Sequence, residues 1–372
     1  MRILFITRKL SVHADGVGDY TRRLAAALGA LGHVVAIQPV SQLLAACRRD
    51  EADVVALQFS PFMYGRRGVC LHLVGWLAMA RWLGGARVLV TFHELYNQWG
   101  YGVLHAGLSL MHRLQFFLVG ALAHEVVFTT ARRAGLGRRW FFWKRERVRC
   151  VPVGSNIPRA GHNGDRRDGG VPLIATFGLL QTGVCYEELL RAFAGLVHED
   201  GVAARLLLIG DWTAADPRRK QQLDELVRAL RLEDRVEWSG PRPAAGVSAL
   251  LSVSDLYVLY RADGPTTRSG TLAAALAHGL PVLANRVPDL DPAFAGGDAV
   301  RLFDDAADLR RQCRKLLQDP AQRAAWARRG REFYQATLTW ERIAQQYTDI
   351  GAGAAGPVVA VATAAEQAGA HG

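Results

Sequence analysis

The sharpest chemical feature of the sequence is the segment RADGPTTRSGTLAAALAHGLP, from Arg261 to Pro281. It follows the strand-like run DLYVLY and enters a helix at Ser269, Gly270 and Thr271. A helix N-terminus offers unpaired N–H groups and partial positive charge, and Arg268 just before it adds a guanidinium, so the segment suits a bound phosphate. Thr271 as a simple helix cap leaves the Asp263-Gly264-Pro265 turn and Arg268 without a role. Gly16-Val17-Gly18 lies between the first strand-like run and the first helix, where missing side chains let backbone approach an anion. A tight turn explains it as well. It is not a dinucleotide fingerprint, since Thr21 stands where the next glycine is needed and no acid ends the second strand near Gln38. His93-Glu94 leaves the run RVLVTF directly, where open α/β sheets place ligands; a surface histidine and a helix-start glutamate is the alternative.

These residues need a scaffold of alternating strands and helices, and the sequence supplies one. RILFIT, VVAIQPV, DVVALQF, RVLVTFHE and EVVFTT alternate with helical patterns, beginning with a helix carrying Leu24, Leu28 and Leu31. The runs are continuously apolar, as in a parallel sheet covered on both faces. From Pro158 to Pro172 the composition turns polar and glycine-rich, which is linker chemistry. A second series follows: LIATFG, a helix over 187–196, RLLLIG, a helix over 223–230, RVEWSG, DLYVLY and the helix entered at 269–271. The expected organisation is two doubly wound α/β domains, 1–157 and 173–350, joined by a linker at 158–172 and followed by an Ala/Gly-rich disordered tail at 351–372.

Composition narrows the function. The 372 residues are half hydrophobic and 21% charged, as expected of globular domains. Five scattered cysteines without a C-x-x-C pair indicate neither a disulfide framework nor a zinc site, and point to a reducing compartment. The start MRILFITRKL reads as a strand rather than a secretory core. The 13 uncharged residues between Arg67 and Arg81 fall short of the ~18 that a spanning helix needs. The net charge of +11 is one-sided: residues 1–156 hold 20 Lys/Arg against 8 Asp/Glu, and the rest of the chain is near neutral. An anionic partner for the first half is implied.

In their order and spacing, GVGDYTRRLAAALGALGH, TFHEL, VPVGSNIP, FGLL…ELLRAF, LLLIGDW, VEWSG and ALAHGLPVLAN resemble glycosyltransferase family 4, a group of retaining sugar transferases of GT-B fold. The resemblance runs over nearly the whole chain up to the tail. It implies two Rossmann-like domains facing a central cleft, a nucleoside diphosphate sugar bound mainly by the second, and an acceptor held by the first. Gly16 and Gly18 would approach the donor diphosphate. His93 would stand beside the transferred sugar, and Ser269, Gly270 and Thr271 would present backbone donors to the phosphates.

The sequence departs from the family where positive charge is expected: Leu179 and Val184 stand where an Arg and a Lys are usual. A departing diphosphate gathers negative charge, so another cation is needed, and Arg268 fits. Ala274 replaces the ribose-binding glutamate, and Asp263 is near enough in sequence to substitute for the sugar-binding one. The implied catalytic set is His93, Asp263 and Arg268, with Glu94 possible beside His93. No cofactor or metal is expected, because protein groups supply the charge.

Arg132 to Arg149 holds eight Lys/Arg, one acid and the block Trp140-Phe141-Phe142-Trp143. Such a segment suits an anionic membrane surface. Stacking on single-stranded nucleic acid uses the same residue types, but no nucleic-acid module accompanies it; packing of the aromatics into the core is the plain alternative. Together these features predict transfer from a nucleotide-sugar to a glycolipid or polysaccharide acceptor, by a protein peripheral to the inner face of the cytoplasmic membrane. The competing expectations are a GT-B epimerase or hydrolase of sugar nucleotides, and a fold that binds without turnover.

Overall fold

The computed structural model describes residues 1–8, 16–42, 52–83, 85–96, 102–159, 170–178, 183–210 and 217–354. The chain divides at Val153–Gly154 into two units. In the first, the apolar runs of the sequence form β1 (Arg2–Thr7), β2 (Val34–Pro39), β3 (Val54–Phe59), β4 (Arg87–Phe92), β5 (Glu125–Phe128) and β6 (Val148–Cys150). All pair in parallel, in the order β2-β1-β3-β4-β5-β6. Helices α1 (Gly16–Ala30), α2 (Pro61–Tyr64), α3 (His72–Leu83), α4 (Val103–Leu122) and α5 (Ala131–Trp140) complete the crossovers. The strand order reverses direction between β1 and β3, and loops at the carboxyl ends of strands diverge at such a point to leave room for a ligand.

The second unit repeats the plan with β7 (Leu173–Phe177), α6 (Tyr186–His198), β8 (Arg205–Ile209), α7 (Pro217–Ala229), β9 (Val236–Trp238), α8 (Ala244–Ser252), β10 (Leu256–Leu259), α9 (Gly270–Ala277), β11 (Val282–Asn285), β12 (Arg301–Phe303), α10 (Ala306–Gln318) and α11 (Pro320–Phe333). Its order, β12-β11-β10-β7-β8-β9, puts the reversal between β7 and β10. Helix α9 is almost entirely apolar, and Leu272 to Leu276 are all buried in one core cluster with β10 and β11. The helix is therefore fixed as a rigid mount for whatever its N-terminus holds.

One expected boundary is corrected. The last helix, α12 (Trp340–Ala352), was assigned by sequence to the second domain but belongs to the first unit. Its apolar stripe Ile343, Ala344, Tyr347 and Ile350 is buried among Ile3, Phe5, Tyr20, Leu24 and Leu28. An amphipathic helix must bury its stripe, and periodicity does not say against which core. Most of the linker, 160–169, and the tail from 355 lie outside the described residues.

The aromatic block at 140–143 splits in two. Phe141 is fully buried and Trp140 packs against the same core, whereas Phe142 and Trp143 are exposed. Phe141 reaches α4 at Gly120, where an added Cβ would lie 2.0 Å from its Cζ. Gly120→Ala is therefore expected to destabilise the protein by about 1–3 kcal/mol through overpacking, measured as a lowered urea midpoint; an unchanged midpoint would contradict this contact.

Candidate active site

In the second unit, the carboxyl ends of β7 and β10 are laced together. Val184 and Arg261 form an antiparallel bridge, with Cys185 N–H donating to the Tyr260 carbonyl and Ala262 N–H to that of Gly183. Opposed residues in such a bridge have side chains on the same side, Cβ atoms roughly 5 Å apart. Arg261 thus carries its guanidinium next to position 184, where the family resemblance led one to expect a lysine. Arg219, at the start of α7, donates to the Val184 carbonyl at 3.3 Å and to Glu187 at 3.1 Å. Two guanidiniums, each paired with a carboxylate, thus stand at this end of the sheet. Leu179, the other departure, lies outside the described residues.

Arg261 and Arg268 converge on one carboxylate. Arg261 Nε lies 2.9 Å from Asp263 Oδ1, and Arg268 Nη2 lies 3.7 Å from Oδ2. The side chains of Asp263 and Arg268 are 40% and 37% exposed, so the Arg268 pair is solvent-screened and adds little stability. Asp263 holds the two cations in place and leaves them reachable. It stands as their counter-ion, not as an isolated carboxylate. The frame behind them is stiffer. Asn285 Oδ1 accepts from Arg261 N–H at 2.9 Å, and its Nδ2 donates back to the Arg261 carbonyl at 2.7 Å. Asp291 Oδ2 accepts from both the N–H and hydroxyl of Thr267, at 3.0 and 2.9 Å. The turn between them needs Gly264, whose φ is +62° and whose added Cβ would meet Val287 at 2.8 Å.

Ser269 caps α9: its hydroxyl accepts from Leu272 N–H at 3.3 Å and its carbonyl from Ala273 N–H at 3.0 Å. The N–H groups of Gly270 and Thr271 then have no acceptor within the helix, and they point out of its N-terminus beside Arg268. The cap residue is Ser269 and not Thr271, which the sequence offered only as the alternative reading. Ala274, in the ribose glutamate's position, is buried in the core cluster, so the departure at this position is structural as well as chemical. The Tyr257 hydroxyl, bonded to the backbone of Phe177, is pushed up to about 12 by burial and stays neutral.

The first unit brings together a different, nearly uncharged set. His93 follows β4, and its Nε2 lies 2.7 Å from Gln58 Oε1 on β3. Tyr20 of α1 packs edge-on against the ring, 5.0 Å between centroids. Burial, then the neighbouring Arg133, depresses the His93 pKa to about 3. The imidazole is neutral at physiological pH and is neither a source of positive charge nor a strong base. Glu94 accepts from the Ser60 hydroxyl at 2.9 Å. Gly16 and Gly18 are the first turn of α1, and among the described residues nothing beyond its own helix lies within 4 Å of a Cβ added at Gly16. Sequence reasoning did not single out Gln58, Arg219 or, as a site cation, Arg261. The signal for Arg261 was its position directly after the run DLYVLY, at a strand's carboxyl end.

Much of the basic segment 132–149 is structural. Glu125, buried at the start of β5, is bridged by Arg147 at 3.0 Å and Arg149 at 3.5 Å, as well as by Arg87 at 2.7 Å. Lys144 donates to the carbonyls of Gly120, Ala121 and Ala123, and so caps the end of α4. Arg139 and Arg145 are exposed. Beside them runs an apolar strip: Leu110 and Leu114 on α4, Phe117 one turn on, then Trp143, 5.8 Å from the Phe117 ring, and Phe142. Among the described residues no helix is long and apolar enough to cross a membrane.

Residues 188–349 match the family described as glycosyl transferase-like. A D-inositol 3-phosphate glycosyltransferase from Salinispora tropica is 27% identical over 303 residues, which cover 74% of this chain and 61% of that protein. The chain spans between 41% and 61% of the length of the curated relatives it matches. Among solved structures, HepE from Anabaena in complex with UDP superposes with a TM-score of 0.71 at 15% identity, over 95% of this chain and 100% of that one. A sucrose-phosphate synthase from Thermosynechococcus elongatus gives 0.67 at 20% identity, over 94% and 98%. These likenesses establish the fold, which is GT-B.

Proposed function

We propose that this chain, a GT-B fold with a glycosyl transferase-like domain over residues 188–349, is a retaining, metal-independent glycosyltransferase. Its donor would be a nucleoside diphosphate sugar, and a uridine nucleotide leads the choice because the HepE neighbour was solved with UDP. The observation that carries the reading is the convergence of Arg261 and Arg268 on Asp263, in the segment that leads into the N-terminus of α9, at the strand-order reversal of the second sheet. As the bond from the sugar's C1 to the diphosphate breaks, the electron pair goes to the leaving phosphate oxygen. Arg261, Arg268 and the N–H groups of Gly270 and Thr271 would stabilise that charge. The acceptor hydroxyl forms the new bond to C1, and its proton goes to the departing phosphate. His93, which the family resemblance sets beside the transferred sugar, would act as a neutral ring that positions it.

The test is product analysis with UDP-sugars, offered alone and with acceptors that include lipid-linked saccharides and inositol 3-phosphate. Nucleoside diphosphate release that requires an acceptor and survives a chelator is the expected result. Release without acceptor would indicate a hydrolase, and an isomerised sugar nucleotide an epimerase. Turnover abolished by chelator would overturn the metal-free scheme.

The acceptor side would work at an anionic membrane, on a lipid-linked or surface-polysaccharide acceptor at the cytoplasmic face. Support comes from the strip Leu110, Leu114, Trp143 and Phe142 flanked by exposed Arg139 and Arg145. The double variant Phe142→Ser/Trp143→Ser is expected to lower partition onto vesicles containing anionic lipid by about tenfold or more. Binding of wild type should weaken with salt. Equal partition of the two proteins would remove the membrane from the account.

A further inference from the structure

Thr7, Gln58 and Thr91 stand in one row across the carboxyl ends of β1, β3 and β4. Gln58 pairs in register with Thr91, and Thr7 follows Ile6, which pairs with Leu57. Thr91 is satisfied: its hydroxyl lies 2.7 Å from that of Tyr347. Its two neighbours are not. Thr7 is 1% exposed and Gln58 0% exposed, yet among the described residues Thr7 Oγ1 and Gln58 Nε2 have no hydrogen-bond partner. Buried polar side-chain atoms are nearly always paired, so two orphans side by side, at the reversal between β1 and β3, call for a ligand.

The chemistry of the row identifies the ligand class. An amide N–H donates and a threonine hydroxyl both donates and accepts, which together match one hydroxyl group. Arg133, the cation beside His93, already donates to the His93 carbonyl, so a neutral group suits this buried row better than a phosphate or carboxylate, whose charge would have to be desolvated there. The other end of Gln58 is in use. With the amide oriented as the structure has it, Oε1 is an acceptor 2.7 Å from His93 Nε2, an orientation that goes with the ring proton on Nε2 and the lone pair on Nδ1. Turning the amide over would exchange the roles of its ends and still leave one unpaired.

We propose that Thr7 and Gln58 form a subsite for one hydroxyl of a neutral polyol or sugar, and that Gln58 is also the positioning residue that fixes the His93 ring with its proton on Nε2. The proposal deepens the transferase reading by naming a sugar contact within the first unit, but the ring state of His93 stands independently of any turnover. The ring's surroundings favour the neutral form. Tyr20 covers it, Arg133 adds a nearby positive charge, and the carboxylate of Glu94 is bonded to Ser60.

The experiment is long-range proton–nitrogen NMR of the histidine rings in the full chain, with the His93 signal identified by its loss in His93→Asn. The expected wild-type ring has its proton on Nε2 and does not titrate between pH 8 and 5. Gln58→Leu removes that acceptor and should mix the two tautomers. Gln58→Glu puts an anion on Nε2–H and should bring titration up into the window. Glucose and myo-inositol are the probes for the subsite. Either should shift the His93 signal in wild type and in Thr7→Ser, and bind about fivefold or more weakly in Thr7→Val and Gln58→Leu, the factor of one hydrogen bond. The other histidine signals report whether each variant is folded. A proton on Nδ1, titration near 6.5 in wild type, no response to either probe, or an undiminished response in Thr7→Val would overturn the proposal. A ring state as expected in a protein that turns over no nucleotide sugar would sink the transferase reading and leave this one standing.

Discussion

Arg268→Ala is expected to lower kcat/KM for sugar transfer by about 10²–10³-fold, the usual cost of removing one donor aimed at developing charge. Arg261→Ala should cost a similar factor. Both cations sit on one partly exposed carboxylate, Asp263, so removing either perturbs the fold little and the loss should fall on catalysis. The bridge between Val184 and Arg261 allows a sharper form of the experiment. In the Arg261→Ala background, Val184→Lys places a cation on the same side of the bridge and should restore about tenfold of the lost activity. Full activity in both arginine variants, from folded protein, would remove the diphosphate site from this end of the sheet.

Tyr347→Ala carries the largest expected effect on stability, about 3–5 kcal/mol for deleting a fully buried aromatic side chain. Tyr347→Phe should cost about 1–2 kcal/mol by leaving buried hydroxyls unpaired. The Tyr347 hydroxyl accepts from that of Tyr20 at 3.1 Å and lies 2.7 Å from the Thr91 hydroxyl, so one side chain of α12 ties α1 to β4. Tyr20 is in turn the residue packed on His93. Thermal unfolding of the two variants is the check. A Tyr347→Ala protein as stable as wild type would contradict the assignment of α12 to the first unit.

The strands that carry the two sites were legible because each is a largely apolar run, and a parallel strand buried on both faces must read that way. The start of α9 was legible for a second reason: Ser-Gly-Thr after a strand and before an alanine-rich run is what a capped helix needs. What escaped was every relation set by sheet order. The order β7-β10 brings Arg261 beside Val184, 77 positions apart in the chain, and no local pattern encodes that neighbour. Gln58 read as one more residue of DVVALQF, and only its place beside His93 gives it a role. The stripe of α12 was readable as a stripe, but its partners Tyr20 and Thr91 lie some 250–330 residues away. The basic segment misled in the other direction. Charge counted along the sequence took Arg147, Arg149 and Lys144 for surface, and the fold uses them to satisfy Glu125 and the end of α4.

A transferase of this kind must bind a nucleoside diphosphate in its second unit. The most direct measurement is the thermal unfolding of the full chain against UDP, GDP, dTDP and ADP, in wild type and in Arg261→Ala/Arg268→Ala. At a hundredfold excess over Kd, one nucleotide, with UDP expected first, should add about 2.7 kcal/mol of stability, and the double variant should lose that gain. Wild type that responds to none of the four, or a double variant stabilised as much as wild type, would contradict it.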